Sequence, residues 1–175
     1  MSVTATGVGL LDILQAVEDL TSQEVLVGIP EAIEKLTSQE VLVGIPHGEA
    51  RSDTDMTNAQ IGYIQETGSP AMNLEARAFL APGVEDCQEQ TAAQLTKAID
   101  QALTGNSQGV DRCLNRAGMI AQNSVRAKIN SGDFAPLSEA TLRARRRAGK
   151  TRTKPLIDTV QLRNSITYII KKVEK

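Results

Sequence analysis

Seven basic residues crowd one short stretch. Arg143, Arg145, Arg146, Arg147, Lys150, Arg152 and Lys154 fall between Thr141 and Lys154 with no acidic residue among them. Guanidinium groups at that density hold phosphates by charge, without reading bases. They serve equally well against an acidic protein surface. Both readings stay open: a face turned to a DNA backbone, or a face that meets a neighbouring subunit. A helix continuing past residue 147 would put Arg143, Arg146, Arg147 and Lys150 on one side. No helix-turn-helix or zinc-finger pattern accompanies the run, so sequence-specific DNA recognition is not expected.

Other chemistry is sparse. Gly149, Lys150 and Thr151 spell the end of a phosphate-binding loop, but Ala144 stands where that loop needs its first glycine. His47 is the lone histidine, and nothing around it resembles an activated nucleophile. Glu49, Asp53 and Asp55 could offer oxygen ligands to a hard cation, yet their spacing lacks the glycine and distal glutamate of an EF-hand. A solvated acidic loop is expected there. Two cysteines and one histidine are too few for a structural zinc site. Cys87 and Cys113 read as small core residues on helix faces. No catalytic residue, metal or cofactor is expected.

Helices and strands must position these groups. Leu10, Ile13, Leu14, Val17 and Leu20 have helical spacing. Gln15 to Pro30 (QAVEDLTSQEVLVGIP) is then repeated as Glu31 to Pro46 (EAIEKLTSQEVLVGIP), with the last eleven positions identical. Each copy reads as a helix end followed by a strand, Glu24 to Ile29 and Glu40 to Ile45, closed by a proline. Two identical strands compete for one place in a sheet. One copy is expected in the sheet and the other at an edge, looped out, or against a neighbouring subunit.

Further along, Thr57 is placed to cap a short helix carrying Ile61 and Ile64 and ending near Gly68. Gly68 to Pro82 reads as irregular. Long helices are expected over about 83–104 and 110–129, and a third, basic one from Pro136 and Ser138 to Arg147. One helical turn follows at Thr159 to Asn164, then a strand at Ile166 to Lys172. This predicts an α+β fold: a small antiparallel sheet of N- and C-terminal strands packed on two long central helices. Residues 1–46 would hold the N-terminal helix and the duplicated unit, and 47–175 the rest of a single domain. The stretches His47 to Thr57 (with His47, Glu49, Arg51, Asp53, Asp55) and Gly68 to Pro82 (with Met72, Leu74) are long and short of core residues, and read as docking loops.

Composition sets the outer limits. The 175 residues are 41% hydrophobic, enough for a core, while aromatics are only 2%. That argues against stacking platforms for single-stranded nucleic acid. No apolar run approaches the roughly 20 residues of a membrane span, and no secretory leader is evident. A soluble intracellular protein is the expectation. The net charge of -2 conceals an asymmetry: residues 1–100 carry 16 Asp/Glu and 4 Lys/Arg, and residues 101–175 carry 5 and 15. Such a chain can dock acidic face to basic face with its own copies, or turn its basic side to nucleic acid.

Three stretches, taken in order, resemble a known family. They are VLVGIPHGEARSDTDMTNAQIGYIQETGSP from Val41, ARAFLAPGVED from Ala76, and FAPLSEATLRARRRAGKTRTKPLIDTVQLRNSITYII from Phe134. Their order and spacing are similar to those of the tail-completion or neck proteins of tailed bacteriophages, also termed virion morphogenesis proteins. Thr67 and Val160 depart from the commoner Phe and Gly, and the duplicated segment adds sixteen residues. The resemblance implies a non-enzymatic virion component, assembled in the bacterial host cytoplasm and located at the head–tail junction. It would form or complete a sixfold or twelvefold homo-oligomeric ring with double-stranded DNA in its lumen. Its neighbours would be the head connector or stopper and the tail terminator or tail-tube proteins. A tail-tube terminator and a non-specific DNA-binding protein are the alternatives.

Overall fold

A computed structural model describes residues 29–48, 50–51, 54–151, 153–157 and 160–173. The expected N-terminal helix and the body of the first repeat strand lie outside the described residues, as do Glu49, Asp53 and Arg152. In chain order the elements are α1 (Ile29–Thr37), β1 (Gln39–Gly44), α2 (Asn58–Thr67), α3 (Leu80–Glu85), α4 (Gln88–Leu103), α5 (Ser107–Ser131), α6 (Glu139–Arg147), α7 (Gln161–Ser165) and β2 (Thr167–Lys172). The fold is α+β, with a two-stranded antiparallel sheet packed on long helices.

α5 is the spine. Asn106 caps it by accepting the Gly109 N–H, and Gly132 ends it in the left-handed conformation. Val110, Leu114, Ala117, Ala121, Val125 and Ile129 recur at three- and four-residue spacing along it and are all buried. Its two ends anchor two core clusters. Val110 and Leu114 pack with Ala32, Ile33 and Ala102. Val125 and Ile129 pack with Phe79, Leu162 and Ile166. Each fully buried Val, Leu or Ile contributes about 1.5–3 kcal/mol relative to exposure.

The second repeat copy occupies the sheet. β1 runs antiparallel to β2 with Val41 opposite Ile170, Leu42 opposite Ile169 and Val43 opposite Tyr168. Alternation turns Val41, Val43 and Ile170 toward the clusters, while Leu42 and Ile169 face outward. Ile29, expected to close the first strand, instead opens α1.

Gly118 lets the sheet sit close to α5. A Cβ at that position would overlap the Tyr168 ring, whose hydroxyl lies 3.0 Å from Asn115 Oδ1. Gly118→Ala should therefore cost about 1–2 kcal/mol by overpacking, read as a lower urea midpoint. An unchanged midpoint would mean that the sheet rides farther from the helix than described.

Three expectations need correction. The helix expected over 83–104 is two helices, broken at Asp86 and Cys87, where the Cys87 N–H turns to the Val84 carbonyl. The stretch Gly68 to Pro82 is not wholly irregular: it holds a 3-10 turn at Pro70–Met72, a bridge between Ser69 and Leu74, and the start of α3. It also carries Phe79, only 1% exposed. Cys87 is buried as expected, but Cys113 is half-buried on the flank of α5. Among the described residues, no helix is long and apolar enough to cross a membrane.

Candidate functional site, an arginine-lined cleft

The described residues form a cleft of about 630 Å³. Its floor and walls come from α2, the turn after it, the segment before α6, and α7. It brings together residues from both expected site groups: Arg51 and Leu74 of the docking loops and Arg145 of the basic run. Arg77 joins them and is 9% exposed, the one buried charged residue among the described residues.

Local chemistry fixes each arginine. Thr57 and Gln60 form a reciprocal capping box that starts α2, so Ile61 and Gln65 line the cleft. The Gln65 carbonyl accepts the Arg77 backbone N–H at 2.7 Å. The Arg77 side chain then reaches across the cleft: Nε donates to the Ala135 carbonyl at 3.1 Å and Nη2 to the Pro136 carbonyl at 3.4 Å. No carboxylate of the described residues pairs with it. Arg51 Nε donates to Gln161 Oε1 at 2.6 Å, fixing the loop after β1 to the start of α7. Arg145 Nη1 donates to the Lys154 carbonyl at 3.1 Å. Glu75 supplies a carboxylate at the cleft, against three guanidinium groups. The lining is completed by aliphatic side chains, among them Leu74, Leu137 and Leu156.

The basic run is divided rather than continuous. Ser138 caps α6 by accepting the Thr141 N–H, and the helix stops at Arg147. The Gly149 N–H bonds the Arg146 carbonyl and the Lys150 N–H bonds the Arg145 carbonyl. This is the paired closure of a Schellman end, and it requires the left-handed φ of +69° that Gly149 adopts. The Gly-Lys-Thr sequence is thus a helix terminus. Lys150 lies beyond the helix, so the single face expected for Arg143, Arg146, Arg147 and Lys150 does not form. Instead Arg145, Arg146 and Lys150 share a shallower cleft of about 360 Å³, with Arg143 and Arg147 exposed. Lys154 extends toward the Asn130 carbonyl at the end of α5.

The remaining docking-loop residues do not gather. His47 and Asp55 are exposed and do not line the cleft, and the Met72 side chain lies outside the described residues. No group of three or more His, Cys, Asp or Glu comes together among the described residues. In the sequence, Arg77 falls within the ARAFLAPGVED stretch and carries no expected role. The signal was there: it is the sole Lys or Arg between residues 52 and 96, set among apolar neighbours. No protein family, curated protein or solved structure matches the chain.

Proposed function

We propose that this chain is a structural, non-enzymatic component of a tailed-phage virion, forming or completing the ring at the head–tail junction through which DNA passes. One observation carries the reading beyond the ordered motifs themselves. The motif segments, scattered between Val41 and Ile170, converge in space. Ile45, Ile61, Phe79, Leu156, Ile157, Leu162 and Ile166 pack in one cluster. Ile61, Arg77, Pro136, Leu137, Ser138 and Leu156 line one cleft. Their convergence makes these segments one folded unit, as a single ring subunit would need.

The charge distribution also suits a ring. A closed ring needs two different, complementary faces on each subunit, and an acidic first half with a basic second half supplies them. The exposed Arg143 and Arg147 suit either a lumen or a neighbouring subunit. Electron microscopy of a lysate from a phage with an early nonsense codon in this gene decides the matter. DNA-filled heads separate from tails of normal length are expected. Overlong tails would indicate a tail-tube terminator. Normal infectious virions would overturn the structural role and favour non-specific DNA binding, which a steep salt dependence on free duplex would reveal.

A further inference from the structure

The sheet has room for another strand. Among the described residues, β1 pairs only with β2, and its other edge has no ladder partner. No residue of either strand is fully buried, although Val41, Val43 and Ile170 pack against the core clusters. A sheet this narrow draws its stability from the helices it packs on. It leaves an open edge of the kind that accepts an added strand. On the outer face Leu42 and Ile169 are 43% and 51% exposed. With Ile45 and Pro46 they line an apolar groove of about 180 Å³.

The chain carries a matching strand. Gln23 to Gly28 repeats β1 residue for residue, within the 28 residues that precede the described structure. The two repeats differ at positions that pack α1, and the differences assign the α1–β1 site to the second copy. Lys35 pairs with Asp111, whereas its counterpart Asp19 would set like charges together. Ile33 is buried in the first cluster, whereas its counterpart is the smaller Val17. The first strand is thus surplus in its own chain, and α1 keeps it from its own β1. α1 is nine residues long and starts at Ile29. As a rod it holds Gly28 about 13 Å from the start of β1, against roughly 4.8 Å between paired strands. That excludes a hairpin-like antiparallel pair. A parallel pair would need a turn between Gly28 and Ile29, where no residue is left to make it.

We propose that Gln23 to Gly28 of one copy adds, antiparallel, to the open edge of β1 in a second copy, with Leu26 beside Leu42. That register sets Val25 beside Val43 and Val27 beside Val41 on the inner face. It extends the outer row of Ile169 and Leu42. An in-register parallel alignment would instead put Glu24 beside Glu40, a like-charge pair. Donor strand and acceptor edge are different surfaces, so the contact runs head to tail. It gives the ring reading an interface without depending on the virion.

Sedimentation velocity on the full chain across a concentration series tests this. The wild type is expected to associate. Val25→Pro/Leu26→Pro leaves every described residue unchanged. Successive N–H groups of a strand point to opposite edges, so one of the two prolines removes a donor facing β1. This variant should sediment as a monomer at concentrations where the wild type associates. Circular dichroism checks folding, and Val25→Lys/Leu26→Lys replaces the proline pair if that chain fails to fold, since lysine also opposes strand addition. Cross-linking reads the register. Chains carrying Leu26→Cys and chains carrying Leu42→Cys, each with Cys113→Ser, are mixed and oxidised. Directly opposed residues lie within the span of a disulfide, so a linked dimer is expected from the mixture and from neither chain alone. Association of the proline variant as tight as that of the wild type overturns the proposal. So does a mixture that forms no linked dimer, or no more than either chain alone. A wild type that stays monomeric at every concentration also overturns it, while the lysate microscopy decides the virion reading separately.

Discussion

Replacing Glu66 by alanine should cost about 3–5 kcal/mol of stability, the largest loss expected of any single substitution outside the buried apolar core. Glu66 sits in the last turn of α2, yet its carboxylate serves α3. Oε2 accepts the Phe79 N–H at 2.7 Å and the Leu80 N–H at 2.9 Å, and Oε1 accepts the Ala81 N–H at 3.0 Å. Those donors belong to the start of a helix, where no intrahelical acceptor exists. Phe79 offers no side-chain cap of its own and is buried. Alanine would strand the part-buried Phe79 and Leu80 donors, at roughly 1–3 kcal/mol each, while the exposed Ala81 N–H turns to water. Glu66→Gln keeps one carbonyl oxygen and should lose about half as much. Urea denaturation followed by circular dichroism gives the ordering. Equal midpoints for Glu66→Ala and the wild type would mean that α3 finds its acceptors elsewhere.

Arg77→Leu should cost about 2–3 kcal/mol. Two effects oppose each other. Leucine removes a buried cation that lacks a carboxylate partner, which by itself is favourable. It also deprives the Ala135 and Pro136 carbonyls of their donors, and hydrogen bonds to a charged group are each worth about 1.5–3 kcal/mol. Two such bonds outweigh the relief of removing this one buried charge at the cleft wall. The segment from Gly132 to Ser138 should loosen, seen as faster proteolytic cleavage there. Arg77→Lys keeps the charge without the planar fork and should recover only part of the loss. A leucine variant as stable and as protease-resistant as the wild type would remove Arg77 from its structural role.

Local chemistry was readable; distant partnership was not. Thr57 and Ser138 announced two helix starts, because a cap acts on a backbone N–H only three residues on. The value of Glu66 depends on residues thirteen to fifteen positions on, and no spacing rule reveals that. Leu95 and Leu103 have helical spacing along α4, but both are 43% exposed while Ala98 and Ala102 are buried. Close approach of α1, α4 and α5 selects small side chains, and a pattern counted by hydrophobicity passes over alanine. The docking loops are long and short of core residues in sequence. One buried phenylalanine and one buried arginine suffice to fix the second of them.

The pairing of β1 with β2 has a consequence for synthesis. On the order of 120 residues separate the two strands, so β1 leaves the ribosome well before its partner exists. At roughly 5–20 residues per second, that interval is about 6–24 s. During it, the Val-Leu-Val edge of β1 is open to any extended chain, and Gln23 to Gly28 repeat its sequence residue for residue. Nascent chains on neighbouring ribosomes of one message would meet with such edges unpaired, a setting that favours mispaired strands. Chaperones that shelter nascent β-edges would then govern the yield of this protein, which should fall more steeply than that of all-helical proteins of similar length when they are depleted.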